Sequence, residues 1–232
     1  MSRRRVAITG IGLVTPVGND VATTWSALLE GRSGGAPISI FDASGFPVHI
    51  AAEVKEFHDD DMGDRKLLKF ASRSQRFALV AAEQALRDAG IRPTTADATR
   101  WSCAVGAGMM KVDFNDFAAI HRHSVVDDAL DPARLLTDDR ANDPLVFCRT
   151  TCISGLSLLV RRYGIQGYAT SVHTACASGG QAIGTALKLI RCGAADFVLP
   201  LDEIARAIQR GVGALEKATT GGGPAAPEKG RA

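Results

Sequence analysis

An α/β fold, with a mainly parallel mixed sheet packed between helices, is predicted from three features of the sequence. Short apolar runs alternate with stretches of helical periodicity as far as Leu199. Glycines gather where strands would run into turns, at Gly10-Ile11-Gly12, Gly106-Ala107-Gly108 and Gly179-Gly180. Of the 232 residues, 46% are apolar and 22% charged, the balance of a chain that buries a core.

Taken in order, Val6-Ala7-Ile8 reads as a buried strand. Asn19 or Asp20 caps a helix that places Val21, Trp25, Leu28 and Leu29 on one face and is closed by Gly31. Residues 32 to 64, rich in Gly, Pro and Asp, form a surface excursion with extended pieces near Val48 to Val54. Ser74 to Ala89 is a helix, with Phe77, Val80, Ala81 and Leu86 near helical spacing and Gly90 at its end. Trp101 to Val105 is a strand. From Asp113 to Asn142 the chain is polar, and its acidic pairs Asp127-Asp128 and Asp138-Asp139 read as solvated faces. Pro144 opens an apolar helix that ends at Gly164. A strand from Tyr168 to Thr174, a helix from Cys176 to Cys192 and a strand from Asp196 to Leu199 complete the alternation. Beyond it, Leu201, Ile204, Ile208, Val212 and Leu215 share a helical face over 200–218, an atypical helical segment because Gly211 and Gly213 weaken it. Residues 219–232 hold, the two prolines apart, no apolar side chain larger than Ala and are expected to be disordered.

Charge and composition exclude several functions. With 27 basic and 25 acidic residues, net +2, and no basic stripe, a nucleic-acid partner is not expected. No apolar run reaches the ~18 residues of a membrane span. Arg3-Arg4-Arg5 before Val6 to Val14 imitates a secretory signal, but Thr9, Gly10 and Gly12 interrupt the run; a strand entering a glycine-rich turn fits better. Five scattered cysteines indicate reduced thiols in a cytoplasmic protein.

Few residues carry chemistry. Gly10-Ile11-Gly12 lacks the third glycine of a dinucleotide fingerprint, since Thr15 stands there. His121-Arg122-His123 is a loop pair with no third ligand, so no metal is expected. Cys148 and Cys152 share a helix face at i, i+4 and read as core packing. The strongest signal is His173-Thr174-Ala175-Cys176-Ala177-Ser178-Gly179-Gly180. It puts Cys176 at a strand-to-helix junction, where the positive end of the helix favours a thiolate and backbone amides meet a developing oxyanion. His173, three residues before it, is poorly placed to act as a base.

The stretch Gly167 to Gly179, followed by Ile183, resembles the active-site signature of the beta-ketoacyl-acyl carrier protein synthases, and of their type II elongating branch in particular. The opening Val6 to Gly18 is similar to the first strand and turn of that family. Trp25, Leu28, Gly31, Ser33-Gly34, Ile40-Phe41-Asp42, the Ala81-to-Gly90 helix end, Gly106-Ala107-Gly108, Tyr163-Gly164 and Ala194-Ala195-Asp196 agree in order and spacing. The resemblance implies that residues 1–199 form the N-terminal half, βαβαβαββ, of a thiolase-like fold. It implies that Cys176 takes an acyl group from the phosphopantetheine arm of acyl carrier protein, for decarboxylative condensation with malonyl carrier protein in fatty-acid or polyketide synthesis. No cofactor of its own is implied. The expected partners are acyl carrier protein and a second ketosynthase subunit, in a homodimer or heterodimer. Met109 falls where the family keeps an apolar residue at the acyl pocket.

The likeness ends after Leu199: where the family continues Ala-Gly-Gly, this chain reads Pro200-Leu201-Asp202. The histidines, the lysine and the second oxyanion-hole amide that the family uses for condensation lie in its second half. The sequence expectation is therefore an acylating cysteine without its condensing partners. The alternatives are a non-catalytic partner of a complete ketosynthase or an inactive truncated remnant.

Overall fold

The computed structural model describes residues 4–58, 65–108 and 112–202. Its elements run as helix α1 (Val21–Leu29), the two-residue strands β1 (Ala36–Pro37) and β2 (Ile50–Ala51), helices α2 (Arg65–Leu68) and α3 (Arg73–Ala89), and strand β3 (Trp101–Gly106). Helix α4 (Phe114–Ser124) is followed by the hairpin β4 (Val125–Val126) and β5 (Ala129–Leu130), then helices α5 (Pro132–Thr137), α6 (Pro144–Thr150) and α7 (Ser154–Tyr163). Strand β6 (Ala169–Val172), helix α8 (Ser178–Arg191) and strand β7 (Phe197–Asp202) close the described chain.

The main sheet has the order β6-β3-β7, and both pairings are parallel. Gly106 at the end of β3 stands opposite Val172 on one side and Asp202 on the other. Every residue of β3 is buried, as a strand covered on both faces requires. Side chains alternate across a strand. Trp101, Cys103 and Val105 join Leu79, Leu86, Leu158, Leu159 and Leu199 in the core under α3 and α7. The other face is made of small residues. A side chain on Gly106 would place its Cβ 2.6 Å from the Ser178 carbonyl carbon and 2.7 Å from the Gly179 nitrogen, so α8 lies directly on the β3 backbone.

Local chemistry accounts for the best-formed elements. Ser72 and Gln75 make a reciprocal capping box at the start of α3, and Gly90 ends that helix in the left-handed conformation. Its buried face is Ala78, Leu79, Ala82 and Leu86, one position removed from the face expected around Phe77, Val80 and Ala81. Asp20 is the cap of α1, accepting from the Thr23 N–H at 2.7 Å.

The structure corrects five sequence expectations. First, Val6-Ala7-Ile8 is not a buried strand: it joins no ladder, and Ile8 is 81% exposed. β3 already has a neighbour on each edge. The N-terminal segment instead lies along α3, where Ile11 N–H donates to Asp88 Oδ2 at 2.9 Å and Leu13 N–H to Gln84 Oε1 at 3.0 Å. A Cβ on Gly10 would meet Ala89 N at 2.7 Å, and one on Gly12 would meet the Ala81 carbonyl carbon at 2.8 Å. Second, α1 buries Thr24 and Ala27, while Trp25 and Leu29 are exposed. Its polar face docks because the Thr24 and Thr15 hydroxyls lie 3.1 Å apart and Thr24 also donates to the Gly18 carbonyl at 3.2 Å.

Third, the helix expected from Pro144 to Gly164 is broken into α6 and α7. The Thr151 and Ser154 hydroxyls both donate to the Cys148 carbonyl, replacing the backbone bonds that would continue α6. Cys152 consequently lies beyond that helix, and the expected shared face with Cys148 does not form. Fourth, His121 and His123 stand on α4 rather than in a loop, with His123 Nδ1 3.9 Å from Asp138 Oδ2. Fifth, Pro200, Leu201 and Asp202 extend β7 instead of opening a helix, because their ladder with Ala104, Val105 and Gly106 holds them extended. The remainder of that expected helix and the expected disordered tail lie outside the described residues, as does Met109.

Candidate active site

The strand-to-helix junction singled out by the sequence is a tight corner at one end of the sheet. β6 ends at Val172, a 3-10 turn occupies Ala175–Ala177, and α8 begins at Ser178. Ala175 has φ +50°, a left-handed conformation that costs a residue with a Cβ roughly 1–2 kcal/mol. Such strain persists where the surroundings over-determine the backbone. Here the fully buried Ser178 hydroxyl accepts from the Thr174 N–H at 2.9 Å and donates to the Ala107 carbonyl at 3.3 Å. Gly106, seated against the Ser178–Gly179 peptide, fixes the corner from below.

The turn presents Cys176 to solvent at the N-terminal end of the 14-residue helix α8. That helix has no acidic residue in its first turn and no side-chain cap of its own. Its positive end therefore faces the region around Cys176. The amides following Cys176 are committed to the turn: Ala177 N–H donates to the Thr174 carbonyl at 3.2 Å, and Ser178 N–H to the Ala175 carbonyl. The Cys176 N–H takes part in neither bond.

All five cysteines are free, and they differ in access. Cys103 is buried in β3, and Cys148 and Cys152 are half-buried. Cys192 is exposed like Cys176 but sits at the opposite end of α8, with Sγ 3.4 Å from the Leu189 carbonyl oxygen. The two exposed thiols thus sample the two poles of one helix. His173 is exposed, and its Nδ1 lies 3.3 Å from the Gly108 carbonyl, so in that bond the ring nitrogen donates. Among the described residues no group of three or more His, Cys, Asp or Glu is arranged to hold a metal ion. A cavity of about 620 Å³ elsewhere, whose lining includes Phe57, Lys69, Phe114 and Arg149, contains no residue of β6, its following turn or α8.

Two residues of the corner carried no role in the sequence. Ser178 could have been singled out as a polar residue two places after the cysteine at a helix start. Asp202 lies in the stretch where the family likeness ends. Its side chain reaches α8: a Cβ on Gly179 would stand 2.6 Å from Asp202 Cγ, with Oδ2 closer still.

Comparison with known proteins gives this corner its context. Residues 3–200 match the family model described as Beta-ketoacyl synthase, N-terminal domain. The chain is 34% identical over 199 residues to a 3-oxoacyl-[acyl-carrier-protein] synthase 2 from Coxiella burnetii, covering 86% of this chain and 45% of that protein. It therefore spans about half the length of the curated relatives it matches. Among solved structures, the ishigamide ketosynthase/chain length factor superposes with a TM-score of 0.71 at 29% identity, over 97% of this chain and 53% of the other. AntDE:AntF, a type II polyketide acyl-carrier protein in complex with its ketosynthase bound to the hexaketide, superposes with a TM-score of 0.63 at 26% identity, over 94% of this chain and 49% of the other. Among the described residues no single helix is long and apolar enough to cross a membrane.

Proposed function

Because the chain belongs to the beta-ketoacyl synthase family, with the thiolase-like architecture of its neighbours, we propose that Cys176 is the nucleophile of an acyl transfer from acyl carrier protein. The observation that carries this reading is the exposed Cys176 at the end of α8, on a turn held in a strained conformation by Ser178.

The Cys176 thiolate attacks the thioester carbonyl carbon of the acyl-phosphopantetheine. Negative charge develops on the carbonyl oxygen, next to the Cys176 N–H and the positive end of α8. Collapse of that intermediate breaks the bond to the pantetheine sulfur, which leaves as thiolate and takes up the proton that Cys176 lost. An acyl-cysteine remains. Separating loading from condensation in this way suits covalent catalysis. In the second step malonyl carrier protein loses carbon dioxide, and its carbanion displaces Cys176 to give a ketoester two carbons longer. That step needs donors for the malonyl carbonyl, and none of the described residues beside Cys176 is placed to supply them. In this reading they belong to the part of the fold that the relatives have beyond the matched half.

The same reading places the chain in a reducing, cytoplasmic setting, with no cofactor of its own beyond the carrier-borne phosphopantetheine. It also gives β6, an edge strand with Tyr168 exposed just before it, the role of pairing with a second ketosynthase subunit. A non-catalytic partner subunit is the less favoured reading, because such a subunit has no use for an exposed cysteine at a helix start.

Incubation with radiolabelled acyl carrier protein tests the acyl transfer. Label is expected on Cys176, to vanish in Cys176→Ala and to persist in Cys192→Ala. Label retained in Cys176→Ala would overturn the assignment.

A further inference from the structure

Helix α8 has two apolar faces, and only one of them is covered among the described residues. Ser178, Gly179, Ala182 and Ala186 form its buried face. At about 100° per residue, Gly180, Ile183, Gly184 and Leu187 fall on the opposite side. Ile183 is 57% exposed there, and a Cβ on Gly180 or Gly184 would meet no atom within 4 Å. A water-facing helix side ordinarily carries charge, but α8 has no charged residue before Lys188.

The chain supplies a complement to this face. β7 ends beside the start of α8, with the Asp202 side chain against Gly179. Residues 203–232, outside the described part, continue from that point. Ile204, Ile208, Val212 and Leu215 recur at the spacing of one helical face, and Arg206, Arg210 and Lys217 take the other. A helix over 204–215 spans about 18 Å, against about 21 Å for the 14 residues of α8. Gly211 and Gly213 weaken such a helix in isolation, so it needs an apolar surface to form on.

We propose that residues 204–215 fold back along α8 and cover Ile183 and Leu187 with Ile204, Ile208, Val212 and Leu215. Gly180 and Gly184 let the two backbones approach closely, as Gly106 admits α8 to β3 on its other side. The occupant is this segment rather than a second copy, because its attachment at Asp202 makes the contact intramolecular.

Ile183→p-benzoylphenylalanine in the 232-residue chain, irradiated and mapped by peptide mass spectrometry, tests the proposal. The expected product has monomer mass and joins residue 183 to the segment 204–215. A product of dimer mass would assign the face to a second copy and overturn the proposal, as would irradiation that yields no internal product. Adding Ile204→Asp and Ile208→Asp together is expected to abolish the internal product, whereas Arg210→Gln, on the far side of the segment, should keep it. A product that survives the double substitution would also overturn the proposal. In each variant the buried Cys103 should stay closed to iodoacetamide, which reports that the core around β3 is intact. Acyl transfer plays no part in these measurements, so they stand apart from the role of Cys176.

Discussion

The two faces of β3 are built on opposite plans. Under α3 and α7 the strand offers Trp101, Cys103 and Val105 to a core of leucines, where bulk is removed from water. Toward α8 it offers Gly106, and α8 answers with Gly179 and the buried Ala182 and Ala186. Little apolar area is available on that side, and what the small residues achieve is distance. They let a helix start rest on a strand end, so that one serine hydroxyl reaches both Thr174 and Ala107. One face holds the chain folded, and the other holds Cys176 in place. The difference teaches that a corner of this kind is specified by what is missing from its side chains as much as by the cysteine it presents.

Substitutions on the two faces separate these roles. Leu159 is fully buried in the large-residue core, so Leu159→Ala is expected to cost about 2–5 kcal/mol in urea unfolding. The Cys176 alkylation rate of its folded fraction should stay the same. On the small-residue face, Gly106→Ala drives a Cβ into backbone that cannot rotate away, at a cost of about 1–3 kcal/mol. Here the alkylation rate of Cys176 should change together with stability. If it does not, the corner is less rigidly coupled to β3 than the contacts indicate. Ser178→Ala is a gentler probe of the same coupling. It removes the acceptor of the Thr174 N–H, leaving a group whose loss of partner costs about 1–3 kcal/mol when buried and less here, where Thr174 is exposed. Acyl transfer should slow more than stability falls, as measured by label incorporation against urea midpoint.

The smallest effect is expected at the rim of the large face. Glu83 joins α3 to α7 through Tyr163 and Arg162 and also pairs with Arg92. The hydrogen bond from Arg92 is the main reason its carboxyl is held below the usual carboxylate range; burial opposes this, and Tyr163 and Arg162 add to it. A lowered folded value contributes stability above the ordinary carboxylate range, which is lost as pH falls through the folded value. Thermal midpoints should therefore drop in acid, and Glu83→Gln should flatten that part of the profile while leaving Cys176 labelling untouched.

The sequence was most informative where the causes are local. Helical spacing from Ser74 and the stop at Gly90 mark α3 to within a residue of its observed start, and the run from Trp101 to Val105 marks β3. Cys176 was legible because a small-residue run after a strand signals a helix start. Partner choice was not legible. Val6 to Ile8 has the composition of a buried strand, but β3 is flanked by β6 and β7, a fact of distant residues. The break between α6 and α7 depends on hydroxyls that bond backward to Cys148, which periodicity does not register. The role of Ser178 likewise required β3 to be in place, since its hydroxyl acts across the sheet rather than along the chain.

The N-terminal segment draped over α3 has a consequence for sequence variation. Gly10 and Gly12 touch helix backbone that admits no added atom, whereas Ile11 between them faces solvent at 50% exposure. Tolerance to mutation along this segment should therefore alternate from one position to the next, forbidding every side chain at the glycines and accepting polar ones between them. A stretch that looks hydrophobic and core-like in composition would then vary freely at its apolar position and hold constant at the positions that contribute no side chain at all.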